Sequence, residues 1–197
     1  MKNILSFLTL VFLSTPVVAQ DISLGEPAYG GTGCPAGTAA AVLSEDARSL
    51  SIIFDQYVSE AGGTTGRTFE RKSCNVAIPV RVPNGYSVSV FAVDYRGYNY
   101  LPTNSSAEFN VEYFFAGSRG PSFRRTFRGP SEANYLIRND LIASSVVWSG
   151  CGDDVILRTN SSIRVASYSG RQAYSSVDSQ DVQAALVYHL AFRQCQP

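Results

Sequence analysis

The residues of this chain best suited to contact a ligand lie in the run from Tyr95 to Tyr100, where three tyrosines are interspersed with Arg, Gly and Asn. A tyrosine ring offers a flat apolar face and a polar tip, which suit a sugar ring or a protein partner. We expect this run to leave the end of a strand and enter a loop, where rigid scaffolds often carry binding groups. Tyr95, Arg96, Tyr98 and Tyr100 are therefore candidate binding residues. In the alternative interpretation, Tyr95 packs in the sheet and the other two rings cover a core edge.

A second candidate surface is basic. Arg124 and Arg125 are flanked by Phe123 and Phe127 within a stretch, residues 117–130, that reads as a loop. Guanidinium groups make fixed, bidentate contacts with anionic groups. The two arginines are thus candidates for contact with an anionic polymer or an acidic protein, and the alternative is a solvated hairpin loop.

The sequence offers no catalytic constellation. A serine triad needs a nucleophile, a base and an orienting acid, but His189 is the only histidine and no Gly-x-Ser-x-Gly elbow is present. Strand alternation places His189 opposite the face of Leu186 and Leu190, which is typical of a strand-surface residue. We predict no catalytic residue, no metal site and no cofactor.

Paired carboxylates are the remaining route to hydrolysis or to calcium binding. The acidic residues in question are Asp153, Asp154, Asp178 and Asp181, which lie in turn-like contexts. Glycoside hydrolysis depends on a separation in space between two carboxyl groups, which spacing along the chain does not provide. We interpret these residues as solvated turn residues.

The elements that would position these groups are strands. Cys74 to Val82 alternates apolar and polar residues, Asn84-Gly85 suits a tight turn, and Tyr86 to Tyr100 alternates again. This pattern predicts a β-hairpin. Pro79 cannot donate a backbone hydrogen bond, so its strand is expected at an edge or at a bulge.

Unbroken alternation along the second strand predicts which side chains share a face. Val88, Val90 and Ala92 would lie on one face, with Phe91 and Tyr95 among the residues on the other. At the end of the chain, residues 182–195 alternate for eleven residues, which favours a strand over the helix that Ala184-Ala185-Leu186 could begin.

The amino terminus is typical of a secretory signal peptide. Residues 1–19 combine Lys2, an apolar segment from Ile4 to Leu13, and small residues before Gln20. No later stretch approaches the ~18 apolar residues of a membrane span. We predict one exported domain over residues 20–197, located extracellularly or in a periplasm.

The nearly balanced net charge of the chain argues against nucleic acid as a partner. Without Lys2 the chain carries 15 basic and 16 acidic residues, so no overall field attracts nucleic acid.

Four cysteines follow the predicted leader, namely Cys34, Cys74, Cys151 and Cys195. An even number in an exported chain predicts two disulfides. Three pairings exist, and we favour Cys34–Cys74 with Cys151–Cys195, which join neighbours in order. Zinc binding is disfavoured, because no Cys-x-x-Cys pair is present. Eight or nine short strands with turn signals and no convincing helix predict an antiparallel β-sandwich with a jelly-roll-like architecture.

The chain also resembles a known family from about Glu26 to Cys195. The motifs that carry the resemblance are Gly33–Thr38, Arg71–Cys74, Val93–Tyr98, Trp148–Gly152 and Tyr188–Cys195. Together they resemble the secreted family known as domain of unknown function 4360. Phe192 stands where the family often has a second tryptophan. The resemblance implies a secreted all-β domain with two disulfides and brings no activity with it.

From these observations the leading hypothesis is a non-enzymatic exported binding domain. It would recognise carbohydrate or another cell-envelope component through the run from Tyr95 to Tyr100. One alternative is an exported carboxylate-dependent hydrolase, which predicts two acidic side chains in one cleft. Another is a structural or inhibitor-like protein partner.

Overall fold

The computed structural model describes residues 22–141, 146–177 and 186–195, and nearly all of its regular structure is β-strand. The strands are β1 (Ser23–Leu24), β2 (Ala28–Gly30), β3 (Ala39–Leu43), β4 (Ser49–Phe54), β5 (Val58–Ala61), β6 (Phe69–Arg81), β7 (Tyr86–Leu101), β8 (Ser105–Phe115), β9 (Ser122–Arg128), β10 (Ser131–Asp140), β11 (Val155–Ser167), β12 (Ala173–Ser176) and β13 (Leu186–Gln194). One short 3₁₀ turn, Gly63–Thr65, is the sole helical element of the described part. None of the described helices is long and apolar enough to cross a membrane.

The strands form two antiparallel sheets. In the first sheet the order is β1-β6-β11-β8-β9, and β2 also pairs with β6. In the second it is β3-β4-β13-β7-β12-β5, and β10 pairs with the other edge of β7. Apolar side chains from the two inner faces form one large buried cluster. The predicted antiparallel β-sandwich is confirmed.

The core follows from period-two alternation. On β8 every second residue from Ala107 to Phe115 is buried, and on β13 Leu186, Tyr188 and Leu190 face the same interior. Since a strand turns successive side chains to opposite faces, the intervening residues form the outer surfaces. The strand predicted at the carboxyl end is confirmed over β13, and residues 182–185 lie outside the described ranges.

The predicted hairpin between β6 and β7 is wrong. The turn is present, since Gly85 has φ of 82° and the N–H of Tyr86 donates to Pro83 O at 3.1 Å. The two strands nevertheless belong to different sheets, so the turn carries the chain across the sandwich. Both strands already have partners on each edge, β11 and β1/β2 for β6, β13/β12 and β10 for β7. No free edge remains for them to pair with one another.

Pro79 lies where its missing donor is tolerated. Its carbonyl accepts a hydrogen bond of 2.8 Å from the N–H of Gly25. In an antiparallel strand the nitrogen and carbonyl of one residue point the same way. The proline nitrogen therefore faces the two-residue strand β1, which pairs with β6 on that side. Since β6 lies between β1 and β11 and its register with β11 is unbroken, the predicted edge or bulge at Pro79 is wrong.

The predicted faces of β7 are wrong beyond Val90, because the strand contains a bulge. Register against β13 shifts between His189 and Leu190, so one extra residue of β7 is accommodated near Phe91. Phe91 is 42% exposed, whereas Tyr95, which unbroken alternation would place on the same face, is fully buried. A bulge reverses the facing of all residues that follow it.

Two predicted loops are strands. Tyr95 to Tyr100 lies within β7, and Arg124 and Arg125 lie within β9, the edge strand of the first sheet. In each case pairing partners distant in sequence, β10 and β12 for β7 and β8 for β9, extend a segment whose local composition suggested a loop.

Both predicted disulfides are formed. Cys34–Cys74 lies in the core and fastens the amino-terminal segment to β6. Cys151–Cys195 joins the segment before β11 to the end of β13. The N–H groups of Gly152 and Cys195 each donate at 2.8 Å, to Tyr86 O and Gly85 O respectively, so the second bridge also holds the crossing turn.

Candidate functional site

Three tyrosines meet on the outer face of the second sheet. Tyr98 and Tyr100 project from β7, and Tyr174 lies directly opposite Tyr100 on β12. Ring centroids are 5.4 Å apart for Tyr100 and Tyr174, with planes 22° apart, and 5.8 Å apart for Tyr98 and Tyr174. These three rings, the tyrosine cluster below, are half-buried, so each keeps part of its surface accessible.

Tyr98 is also tied to its neighbour on β10. Its hydroxyl donates to Glu132 Oε1 at 3.3 Å. Partial desolvation, followed by the negative charge of Glu132, raises the pKa of Tyr98. The raised pKa favours the protonated hydroxyl, which can donate a hydrogen bond.

A polar hollow of about 340 Å³ adjoins the tyrosine cluster. It is lined by Tyr100, Leu101, Pro102, Thr103, Pro130, Ser131, Glu132 and Arg171. Its volume falls in the range of about 300 to 1,000 Å³ common for ligand pockets. One ring of the cluster, Tyr100, thus forms part of the wall of a cavity that also presents hydroxyl, carboxylate and guanidinium groups.

Two of the predicted binding residues are not part of this cluster, although Arg96 lies beside it on the same face. Tyr95 is fully buried, stacked 5.0 Å from Phe123 and edge-on to Phe109 at 5.3 Å. Its ring belongs to the core and does not reach the surface. Arg96 is on the outer face of β7, opposite the exposed side chain of Leu136.

The two predicted basic residues of β9, Arg124 and Arg125, also lie in different environments. Arg124 lies on the outer face of the first sheet, where its Nε donates to Asn110 Oδ1 at 2.7 Å. Arg125 is exposed on the edge strand and pairs in register with the buried Phe109. The structure therefore brings Arg124, and not Arg125, into a second cavity.

This second cavity, the polar groove below, has a volume of about 580 Å³. Four neighbouring strands, β6, β11, β8 and β9, supply its lining. The lining residues are Arg71, Ser73, Asn75, Glu108, Asn110, Val111, Glu112, Ser122, Phe123, Arg124, Asn160, Ser161, Ser162 and Arg164. Three arginines and two glutamates leave the groove with one net positive charge.

Glu108 and Glu112 are the acidic pair that one cleft contains. They lie four residues apart on one strand, which separates their Cα atoms by about 13 Å. Glu108 accepts a hydrogen bond of 3.0 Å from Nδ2 of Asn110, which lies between the two glutamates on β8.

His189 takes part in a polar network on the second sheet. Its Nε2 lies 2.8 Å from Asp94 Oδ2, and Arg138 Nη1 lies 3.7 Å from the same oxygen. Ser49 is the cross-strand partner of His189, so three triad residue types occupy neighbouring strands. The N–H of Ser49 already donates to Ser44 Oγ at 3.0 Å and is not free to complete an oxyanion hole.

The remaining acidic candidates form no site in the described ranges. Asp153 and Asp154 are exposed in the turn after Cys151. Asp178 and Asp181 lie outside the described residues. No group of three or more His, Cys, Asp or Glu side chains that could hold a metal occurs in the part of the chain that the structure describes. The four cysteines are all in disulfides, so none is a nucleophile.

Sequence reasoning missed several residues at both cavities. Tyr174 and Arg171 come from the β11–β12 region, and Arg71 and Arg164 come from β6 and β11. Each lies far in sequence from the two candidate runs, Tyr95 to Tyr100 and residues 117–130. Only the strand pairing places them beside Tyr100 or beside Arg124, and no local signal could have found them.

Comparison with known proteins now identifies the family. The family model described as domain of unknown function (DUF4360) matches residues 20–195. The chain belongs to this family. A relative from the fungus Arthroderma benhamiae is 37% identical over 169 residues, which cover 85% of this chain and 69% of the relative. That relative is described as an uncharacterized secreted protein.

The membership confirms the resemblance noted in the motifs of this DUF4360 protein. The protein is secreted, as its sequence predicts, since its relative is a secreted protein and both disulfides suit an oxidising location. The leader predicted over residues 1–19 lies outside the described residues and stays a prediction.

Proposed function

We propose that this DUF4360 protein is a non-enzymatic carbohydrate-binding domain that holds a saccharide across the tyrosine cluster and the adjoining hollow. The observation that carries the proposal is the continuity of the two, because Tyr100 belongs to both. A tyrosine ring presents an apolar face to the C–H groups of a sugar and a hydroxyl to its oxygen atoms. One saccharide unit would lie against Tyr100 and Tyr174, and the next would enter the hollow.

The lining of the hollow supports a sugar over an apolar partner. Hydroxyl groups of Thr103 and Ser131, the carboxylate of Glu132 and the guanidinium of Arg171 offer both donors and acceptors. A polyhydroxylated ligand satisfies such a mixed set, whereas an apolar ligand would leave these groups desolvated and unpaired at a cost of about 1 to 3 kcal/mol each.

The proposal is tested by replacing the rings one at a time. Tyr100→Ala and Tyr174→Ala should each weaken binding to a responsive polysaccharide by about tenfold or more, since truncating a central aromatic contact commonly costs more than 1 kcal/mol. A glycan array followed by a quantitative pull-down with the best ligand measures the loss. Tyr86→Ala is the matched control, because this exposed tyrosine lies at the opposite end of β7.

Loss of binding in the control as well as in the two variants would point to a folding defect, which thermal melting of each variant detects. Unchanged binding by folded Tyr100→Ala and Tyr174→Ala variants would overturn the assignment of the site. An array on which the wild-type protein retains no glycan would overturn the proposed function itself.

A further inference from the structure

The polar groove contains two arginines whose positive charges face one another across neighbouring strands. Arg71 on β6 and Arg164 on β11 are directly opposite one another in the antiparallel register. Both side chains are exposed on the outer face of the first sheet and line the groove. Like charges at directly opposed positions destabilise a sheet. An anion bound between the two guanidinium groups would remove that repulsion.

Both guanidinium groups are oriented by neutral neighbours. Arg71 Nη2 donates to Ser162 Oγ at 3.0 Å, and Arg164 Cζ lies 4.8 Å from the ring centroid of Phe69. These contacts hold each group in place, and within the described ranges most of its N–H donors have no other partner. An arginine whose fork is already oriented loses less entropy when it binds an anion.

In the described part of the chain, the groove arginines form no close ion pair with the carboxylates beside them. Over residues 22–141, 146–177 and 186–195, neither Arg71, Arg124 nor Arg164 forms an ion pair. Glu108 is the cross-strand partner of Arg164 on β8, yet its carboxylate bonds to Asn110 instead. The cationic side of the groove is therefore available to a ligand.

We propose that the polar groove binds an acidic saccharide, with a uronate carboxylate held between Arg71 and Arg164. The next row of the sheet, Ser73, Ser162, Asn110 and Arg124, lies directly beside this pair. Its amide and hydroxyl groups match the ring hydroxyls of the same sugar, and Arg124 is in place for the carboxylate of a neighbouring unit. This site lies on the opposite face of the sandwich from the tyrosine cluster and does not depend on it.

Calorimetric titration with an oligomer of galacturonic acid tests the inference. The fully methyl-esterified oligomer is the matched ligand, since it has the same size and hydroxyls but no charge. The acid should bind, and the ester should bind about tenfold more weakly or worse, because charge-assisted hydrogen bonds are the stronger ones. Raising the salt concentration should weaken binding of the acid and leave the ester unaffected.

Variants locate the site. Arg71→Gln and Arg164→Gln should each reduce affinity for the acid by about tenfold. Arg158→Gln, on the same face of β11 but outside the groove lining, makes the same charge change and should stay within about twofold of the wild type. Melting curves verify that each variant is folded. A sulfated oligosaccharide as a third ligand decides whether the groove prefers carboxylate or sulfate groups on a sugar. Tighter binding of the sulfated ligand, with the same dependence on the two arginines, supports the site and assigns it to sulfated glycans.

Three results would overturn the inference. Equal affinity for the acid and the ester would show that the charge of the ligand does not contribute to binding. If Arg158→Gln lost as much affinity for the acid as Arg71→Gln and Arg164→Gln, binding would depend only on the overall positive charge of this face. An N-glycan on Asn160 in protein secreted by its own host would fill the groove, because Asn160 lines it and begins the sequon Asn160-Ser161-Ser162. Tyr100→Ala should leave binding of the acid unchanged, so failure of this site and failure of the tyrosine site are separable.

Discussion

Tyrosine serves two purposes in this molecule, and the difference is which face of a strand it occupies. Tyr57, Tyr113 and Tyr188 are buried, and their hydroxyls bond to Ser161, Asn139 and Thr159 respectively. Such a partner offsets the cost of removing a phenolic hydroxyl from water. Tyr98, Tyr100 and Tyr174 lie outside, where partial exposure leaves their rings accessible to a ligand.

The buried tyrosines predict alkaline unfolding. Burial raises the pKa of Tyr113 from 10.0 to about 12, and burial also raises the pKa of Tyr57, Tyr95 and Tyr188. The folded protein thus keeps protons that the unfolded chain releases. Stability is fully present below about pH 10 and falls as the pH rises through that value towards the folded pKa.

Phenolate absorbance and far-ultraviolet circular dichroism, followed together in an alkaline titration, check this expectation. The buried tyrosines should ionise as a cooperative group, together with the loss of sheet structure. Reversible ionisation of every tyrosine near its ordinary pKa, with the sheet signal intact, would contradict the assigned burial.

At the scale of the element, the bulge near Phe91 decides what β7 presents on each side. Before it, Val88 and Val90 face the core, and after it Val93 and Tyr95 do so. Without the extra residue, one of these pairs would face water. The outward orientation of Tyr98 and Tyr100 therefore depends on one extra residue located seven and nine positions earlier in the strand.

Deleting Phe91 should prevent stable folding, because closing the bulge turns either Val88/Val90 or Val93/Tyr95 to solvent. Replacing Phe91 with Ser keeps the bulge and removes only a half-exposed ring, so the free energy of unfolding should change by about 1 kcal/mol or less. Urea denaturation of both variants measures the difference. A deletion variant as stable as the substitution would show that the bulge is dispensable.

At the scale of the whole molecule, the two disulfides fasten the ends of the chain to the sandwich. Cys34–Cys74 secures the segment that covers the outer edge of β6, and Cys151–Cys195 secures the end of β13 beside the crossing turn at Gly85. Among the described residues, the outer faces of the two sheets carry the tyrosine cluster and the polar groove.

Removing the second bridge should lower stability without altering the fold. Its cysteines are separated by 44 residues, and a loop of that length corresponds to about 4 kcal/mol in the chain-entropy description. The Cys151→Ala, Cys195→Ala double variant should therefore lose up to that amount of unfolding free energy in urea. Non-reducing peptide mapping should still find Cys34–Cys74. An unchanged unfolding free energy would show that the disulfide does not stabilise the fold and that packing of the two sheets is sufficient.

Local patterns predicted the candidate sites only in part. The sequence singled out Tyr98, Tyr100 and Arg124, because aromatic and basic side chains cluster visibly around them. It placed them in loops, since Gly97 and the arginine-rich composition weaken the local strand signal. Tyr174 and Arg164 complete the two surfaces, but each is brought there by pairing with strands more than fifty residues away in the chain.

The sequence by itself predicted secretion, the strand content, the buried alternation of β8 and β13, and a correct choice of cysteine pairing. These properties depend on side-chain period and residue type, which are local. The tertiary structure alone decided that the Asn84-Gly85 turn crosses between sheets and that β7 bulges at Phe91. It also decided that Tyr95 is core while Tyr98 is surface. The reason is physical: a turn and an alternating strand are compatible with several partners, and the choice among them is made by edges and packing that distant segments supply.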